Sequence, residues 1–193
     1  MLSRTIGRLN HFAGVGKMIH QLGGVNPRML VAALSLSAAG FVGLLVHEGY
    51  SERAYPDPAH GPKVPTAGFG STGPDITMIT RLPPVQAAQR ALRDTQRFEG
   101  ALKTCVTAPL SQAEYDVWVR MAYNIGPQAF CSSTIVRELN AGRYRSACEQ
   151  ILRWRFAAGQ DCSAPGNRSC RGLWARRQAE HAQCLAAVEA AGD

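Results

Sequence analysis

Two acids stand nine residues apart in the stretch HEGYSERAYPDPAHGPKVPTAGFGSTG, Glu48 and Asp57, and Thr66 follows after a second turn-rich gap. Breaking an acetal link between sugars needs a proton for the leaving oxygen. It also needs a carboxylate to meet the charge that builds on the sugar carbon or to handle the attacking water. Glu48 falls where an apolar segment gives way to polar chain, so its carboxyl can be partly buried and hold its proton as a working acid does. Asp57 lies in Pro-Asp-Pro, a turn stiff enough to keep it in one place. A Thr66 hydroxyl opposite the two carboxylates could position a water, and the glycines beside it let a polymer approach the backbone.

Each residue also has a plainer reading. A Glu at a helix end is commonly a solvated charge, and Glu52 is a rival one helical turn on. An Asp between prolines commonly makes an Asx-turn, and Thr66 fits as a strand filler. GFGST lacks the lysine of a phosphate loop. His47 and His60 flank the region without a metal-ligand spacing, so no metal and no cofactor is expected. No serine sits in a nucleophile elbow, and disulfide use of the cysteines argues against a cysteine nucleophile.

The elements that would position these residues are mostly helical. Proline and glycine crowd the segment after Glu48, so a helix should end between Glu48 and Ser51, followed by short strands around VPTAGFG. Beyond Pro83–Pro84, residues Ala87, Ala91, Leu92, Thr95, Phe98 and Leu102 fall on one helical face. Leu110 to Tyr123 reads as a second helix, with Ser111 as N-cap and Glu114 closing a capping box. Further helices are expected from Ser132/Ser133 to Asn140, from Tyr144 to Phe156 and from Leu173 to Ala191. The fold class is α+β, one domain with a small Gly-rich β lobe and a larger helical lobe.

The chain has 193 residues and a net charge of +7. Its first 47 residues hold Arg4, Arg8, Lys17 and Arg28 and no acid, so part of the excess belongs to the N-terminal arm. A basic surface suits an acidic polymer or an anionic membrane face. No zinc-finger spacing or basic recognition helix points to nucleic acid. Six cysteines, all from Cys105 onward, indicate disulfides and an oxidising compartment. Cys162 and Cys170 bracket DCSAPGNRSC and are the favoured local pair among fifteen possible complete pairings. Residues 29–46, MLVAALSLSAAGFVGLLV, form an uncharged run of 18, just long enough for a thin membrane span. Arg28 before it suits an inside-positive anchor. Three parts follow: a basic extension over 1–28, an apolar helix of signal-anchor type over 29–46, and the main domain over 47–193.

The stretch from His47 to Gly73 resembles the catalytic region of the phage-type lysozymes, a muramidase family. The family pattern is Glu-Gly, a short run, Asp in a turn, then Thr before a Gly-aromatic-Gly strand, and Glu48, Asp57 and Thr66 match it. The Asp-to-Thr gap is longer than in the simplest members because AHGPKVP adds residues. MAYNIGPQAFCSSTIVRELNAGRY is similar to the family's helical-lobe signature, with Asn124, Gly126, Phe130, Ser133, Thr134, Leu139, Asn140 and Gly142. GLWARRQAEHAQC resembles its terminal helix, where an arginine, Arg176 or Arg177, would pair with the catalytic Glu.

The resemblance implies a lysozyme-like fold that hydrolyses the β-1,4 bond between N-acetylmuramic acid and N-acetylglucosamine in peptidoglycan. Glu48 would be the general acid, with Asp57 and Thr66 assisting water. It further implies a monomeric endolysin like the signal-anchor enzymes of lambdoid phages and prophages. Such an enzyme is exported, held at the periplasmic face of the inner membrane through residues 29–46, then released into the periplasm. No cysteine precedes Cys105, so a thiol switch in the anchor is not expected. Three other readings use the same residues. They are a lytic transglycosylase, a non-catalytic wall-binding or phage structural protein, and a cationic membrane-active protein working through residues 29–46.

Overall fold

The computed structural model describes residues 27–57 and 61–192. Most of the basic extension and His60 therefore lie outside the described residues. The described chain is α+β: seven α-helices and two short hairpins.

The apolar run 29–46, expected as one helix, is instead broken. A single 3-10 turn covers Val31–Ala33, and the α-helix α1 starts only at Ala38 and ends at Glu48. The break has an electrostatic cause. The Leu36 amide donates to Glu99 Oε1 at 2.7 Å and the Ser37 amide to Asp116 Oδ1 at 3.0 Å. These carboxylates satisfy amides that a continuous helix would have used internally. Ser37 then caps α1, accepting from the Gly40 amide at 2.9 Å. A Cβ at Gly40 would sit 2.6 Å from the Asp116 side chain, so α1 packs this closely only because that position is glycine. No helix among the described residues is long and apolar enough to cross a membrane.

Gly49, with φ +70°, ends α1 and turns the chain into the small lobe. Strand β1, Ser51–Asp57, pairs antiparallel with β2, Gly61–Gly68, with Tyr55 opposite Thr66. The register slips twice, between Ser51 and Tyr55 and between Pro56 and Asp57. Between the Pro56–Pro65 and Asp57–Gly61 pairs, residues 62–64 of β2 have no counterpart on β1, so this strand takes up extra length there.

The helical lobe is built on α2 (Pro84–Cys105) and α3 (Gln112–Ile125). Ala87, Ala91, Thr95, Phe98 and Leu102 are buried on α2 as the spacing requires, but Leu92 is exposed. Ser111 and Glu114 form the expected capping box on α3. Trp118, Tyr115, Met121 and Phe130 pack with Ile135, Leu139 and Ile151 at the centre of the core. A short helix α4, Pro127–Cys131, follows Gly126 and was not expected; α5, Thr134–Asn140, is capped by Ser133. Helix α6 runs only from Tyr144 to Ile151. The helix expected to run on to Phe156 gives way to a turn and irregular chain over 152–155, and a second hairpin follows, β3 (Phe156–Ala157) with β4 (Gln160–Asp161). Its turn needs positive φ at Ala158 and Gly159, and a helix cannot supply that. Helix α7 spans Arg171–Ala190.

All six cysteines are paired: Cys105–Cys131, Cys148–Cys184 and Cys162–Cys170. The first ties α2 to α4 and the second ties α6 to α7. The third closes the local loop expected from the sequence.

The N-terminal segment belongs to this core. Met29 and Leu110 exchange two backbone hydrogen bonds of 2.8 Å. Arg28 donates from Nε and Nη2 to Glu114, whose side chain is fully buried. The same guanidinium lies 3.5 Å from the centre of the Tyr144 ring. Glu114 thus combines a capping role with a buried ion pair.

Candidate active site

Glu48 is the last residue of α1, placed where Gly49 turns the chain toward the small lobe. Its carboxyl is mostly buried, with side-chain exposure of 19%. Burial raises its pKa above the ordinary carboxylate value. Arg176 opposes that rise, Glu180 adds to it and Arg177 opposes it. Gly70, in the turn after β2, lies against the carboxyl: a Cβ there would stand 3.1 Å from Glu48 Oε2.

The two arginines of α7 do different things. Arg176 donates to Glu48 Oε1 at 3.3 Å and to the His47 carbonyl at 2.8 Å. Arg177 is buried and makes no hydrogen bond to Glu48. It pairs with Glu180 and Asn124 and donates to the Trp154 carbonyl at 2.8 Å. The arginine that meets Glu48 is therefore Arg176, and Arg177 holds α3 to α7. Asn124 serves Arg177 at the end of α3, in keeping with a structural role.

Asp57 ends β1 and lines a cavity of about 360 Å³ between the lobes. Gly70, Thr72, Asp94, Phe98, Tyr123 and Asn124 share that wall. Tyr55 feels both acids: burial raises the pKa of its hydroxyl, and the charges of Glu48 and Asp57 raise it further. Thr66 faces Tyr55 across the ladder and is buried. Its hydroxyl makes one long contact, 3.5 Å to the Val64 carbonyl. Asp57 thus lines the cavity directly, Glu48 adjoins it through Gly70, and Thr66 sits one strand behind Tyr55. Among the described residues, His, Cys, Asp and Glu form no group of three that could hold a metal ion.

Several cleft residues had no motif to announce them. Tyr123, at the end of α3, donates its hydroxyl to the Phe69 carbonyl at 3.0 Å and so ties the large lobe to the small one. Asp94, on α2, accepts from Ser71 at 2.7 Å. The only sequence signal for it was the Arg90/Asp94 spacing of four, which looks like a surface helix pair.

A small hairpin lobe facing a helical lobe, with a mostly buried glutamate at the hinge between them, defines a lysozyme-like protein. The phage lysozyme family model matches residues 46–180, and the chain belongs to that family. It is 32% identical to the endolysin of Salmonella phage P22 over 73% of this chain and 98% of that one. It is 32% identical to the SAR-endolysin of Pseudomonas phage phiKMV over 83% of this chain and 93% of that one. Among solved structures, the endolysin of Escherichia coli O157:H7 phage FAHEc1 superposes with a TM-score of 0.66 at 29% identity, covering 79% of this chain and 94% of that chain.

Proposed function

We propose that this protein is an endolysin that hydrolyses the β-1,4 bond between N-acetylmuramic acid and N-acetylglucosamine in peptidoglycan. The observation that carries the reading is the environment of Glu48. A carboxyl with raised pKa stands at the hinge of a two-lobed cleft, beside a cavity that also displays Asp57. Such a group keeps its proton long enough to deliver it to a leaving glycosidic oxygen. Asp57 meets the developing positive charge and, with the Thr66 hydroxyl, orients the attacking water. Arg176 keeps the Glu48 side chain directed into the cleft and limits how far burial raises its pKa. Arg177 supports the same helix from behind.

The protein acts outside the cytoplasm, in the periplasm. Three features support export: the endolysin relatives, the three disulfides, and the uncharged run 29–46. That run carries more apolar surface than its place in the fold requires, since Val42 and Val46 on α1 are 58% and 75% exposed. An anchor held in lipid before folding accounts for them. Glu48 ends α1, two residues beyond that run, so anchoring and a formed cleft exclude each other.

Glu48→Gln and Asp57→Asn test this reading in a dye-release assay on purified cell walls. Both variants are expected to fold and to lose activity, by about 10²-fold or more for Glu48→Gln. A folded Glu48→Gln protein that still releases wall fragments would refute the assignment. Full activity in Asp57→Asn with an inactive Glu48→Gln would favour transglycosylation, which needs only the acid.

A further inference from the structure

The turn after β2, residues 69–75, carries Gly70 against the Glu48 carboxyl and is tied down at several points. Phe69 offers its carbonyl to Tyr123. Ser71 exchanges two 3.0 Å backbone hydrogen bonds with Ala67, and its hydroxyl, almost fully buried, donates to Asp94 Oδ2 at 2.7 Å. The other oxygen of Asp94 accepts from Arg90 Nε at 3.2 Å. That guanidinium reaches over the rest of the turn, donating to the Thr72 carbonyl at 3.1 Å and to Asp75 Oδ1 at 2.9 Å. Its hydrogen bonds hold the Asp75 carboxyl at a pKa of about 2, so this end of the lattice stays ionised through the neutral range. Asp94 is the hub: one oxygen holds the turn, and the other holds the arginine that clasps the turn's far end.

We propose that Asp94 is a positioning residue for the reaction, acting through Ser71 and Arg90 to keep Gly70 packed on Glu48. The proposal rests on the reading of Glu48 as the acid. Phe69, Gly70 and Ser71 are consecutive, so a shift at Ser71 moves the backbone that covers Glu48. Without the Asp94 carboxylate, the buried Ser71 hydroxyl and the Arg90 guanidinium both lose a partner, and the turn can lift. Water then reaches Glu48, and the burial that raises its pKa weakens. The other groups around Glu48 are Arg176, Arg177 and Glu180 from α7, Tyr55 from β1 and Tyr123 from α3; of these, Tyr123 is itself tied to the turn, through Phe69 and Ser71, and feels the Asp94 charge. Ser71→Ala keeps the Asp94 charge and removes only its hold on the turn, so it isolates the route through the turn.

The test is kcat and KM on soluble, peptide-bearing glycan fragments across a pH series, for Asp94→Asn, Ser71→Ala and Glu48→Gln beside the parent. Folded fractions are taken from circular dichroism at the assay temperature. Asp94→Asn is expected to lower kcat by about tenfold with KM little changed, as misplacement of a catalytic group does. Its descending pH limb should move to lower pH, because a better hydrated Glu48 loses its proton sooner. Ser71→Ala, which leaves the Arg90–Asp94 pair intact, should do the same more weakly, and it decides the matter if Asp94→Asn does not fold. Folded variants with the parental kcat and pH limb would overturn the proposal, as would a loss equal to the unfolded fraction. An active Glu48→Gln would instead bring down the reading on which it rests. An inactive Glu48→Gln beside a parental Asp94→Asn would bring down only the positioning role.

Discussion

Arg176 donates to the carboxylate of Glu48 at 3.3 Å and to the carbonyl of His47 at 2.8 Å, so one guanidinium fixes both the side chain and the helix end that carries it. Its neighbour Arg177, one residue on, is buried against Glu180 and Asn124. The contrast separates an electrostatic role from a structural one. Arg176→Ala removes a charge that lowers the Glu48 pKa, so the descending limb of the pH–rate profile should move to higher pH in a folded protein. Arg177→Ala leaves Glu180 buried without its partner and should cost about 3–5 kcal/mol of stability, seen in urea denaturation.

Glu48 also links stability to pH. Its folded-state pKa is raised, so the folded form binds its proton more tightly than the unfolded chain does. That contribution is fully present below the ordinary carboxylate pKa and is lost as pH rises through the folded value. Glu48→Gln cannot lose a proton. The melting temperature of the variant relative to the parent should therefore climb from acid to neutral pH. A difference independent of pH would mean that Glu48 titrates as it does in the unfolded chain.

The disulfides should differ in what they contribute. Cys148–Cys184 closes a separation of 36 residues and Cys162–Cys170 one of 8. Loop-closure entropy assigns them about 4 and about 2.5 kcal/mol. Replacing both cysteines of each pair with Ser, followed by denaturation, should rank them in that order. Activity should survive loss of the shorter link, which closes the local loop between β4 and the start of α7.

Arg28 ties the N-terminal segment to the folded domain through the fully buried Glu114. Arg28→Ala should cost about 3 kcal/mol, because the capping carboxylate then lacks its counter-ion. Arg28→Ala and Glu114→Gln combined should cost less than the sum of the two single changes. Additive losses would show that the pair is not coupled.

Much of the fold that carries this candidate site was legible in the sequence because the signals were local. The capping box at Ser111 and Glu114, the Pro/Gly punctuation after Glu48 and the burial period of α2 each depend on neighbours in the chain. What depended on distant partners was not legible. The run 29–46 reads as one helix until Glu99 and Asp116, from two other helices, take its backbone amides at Leu36 and Ser37. Leu92 satisfies the period of α2 but is exposed among the described residues. The choice between Arg176 and Arg177 needed the rotation of α7, which spacing alone does not give. Asp94 reads as half of an ordinary i,i+4 pair until Ser71, 23 residues away, is placed on its other oxygen.

The most direct measurement is mass spectrometry of the fragments that the oxidised protein releases from purified peptidoglycan. Fragments ending in reducing N-acetylmuramic acid, absent with Glu48→Gln, are the expected result. Anhydro-muramic ends, or no fragments from a folded and fully oxidised protein, would contradict hydrolysis by Glu48 with Asp57 and Thr66.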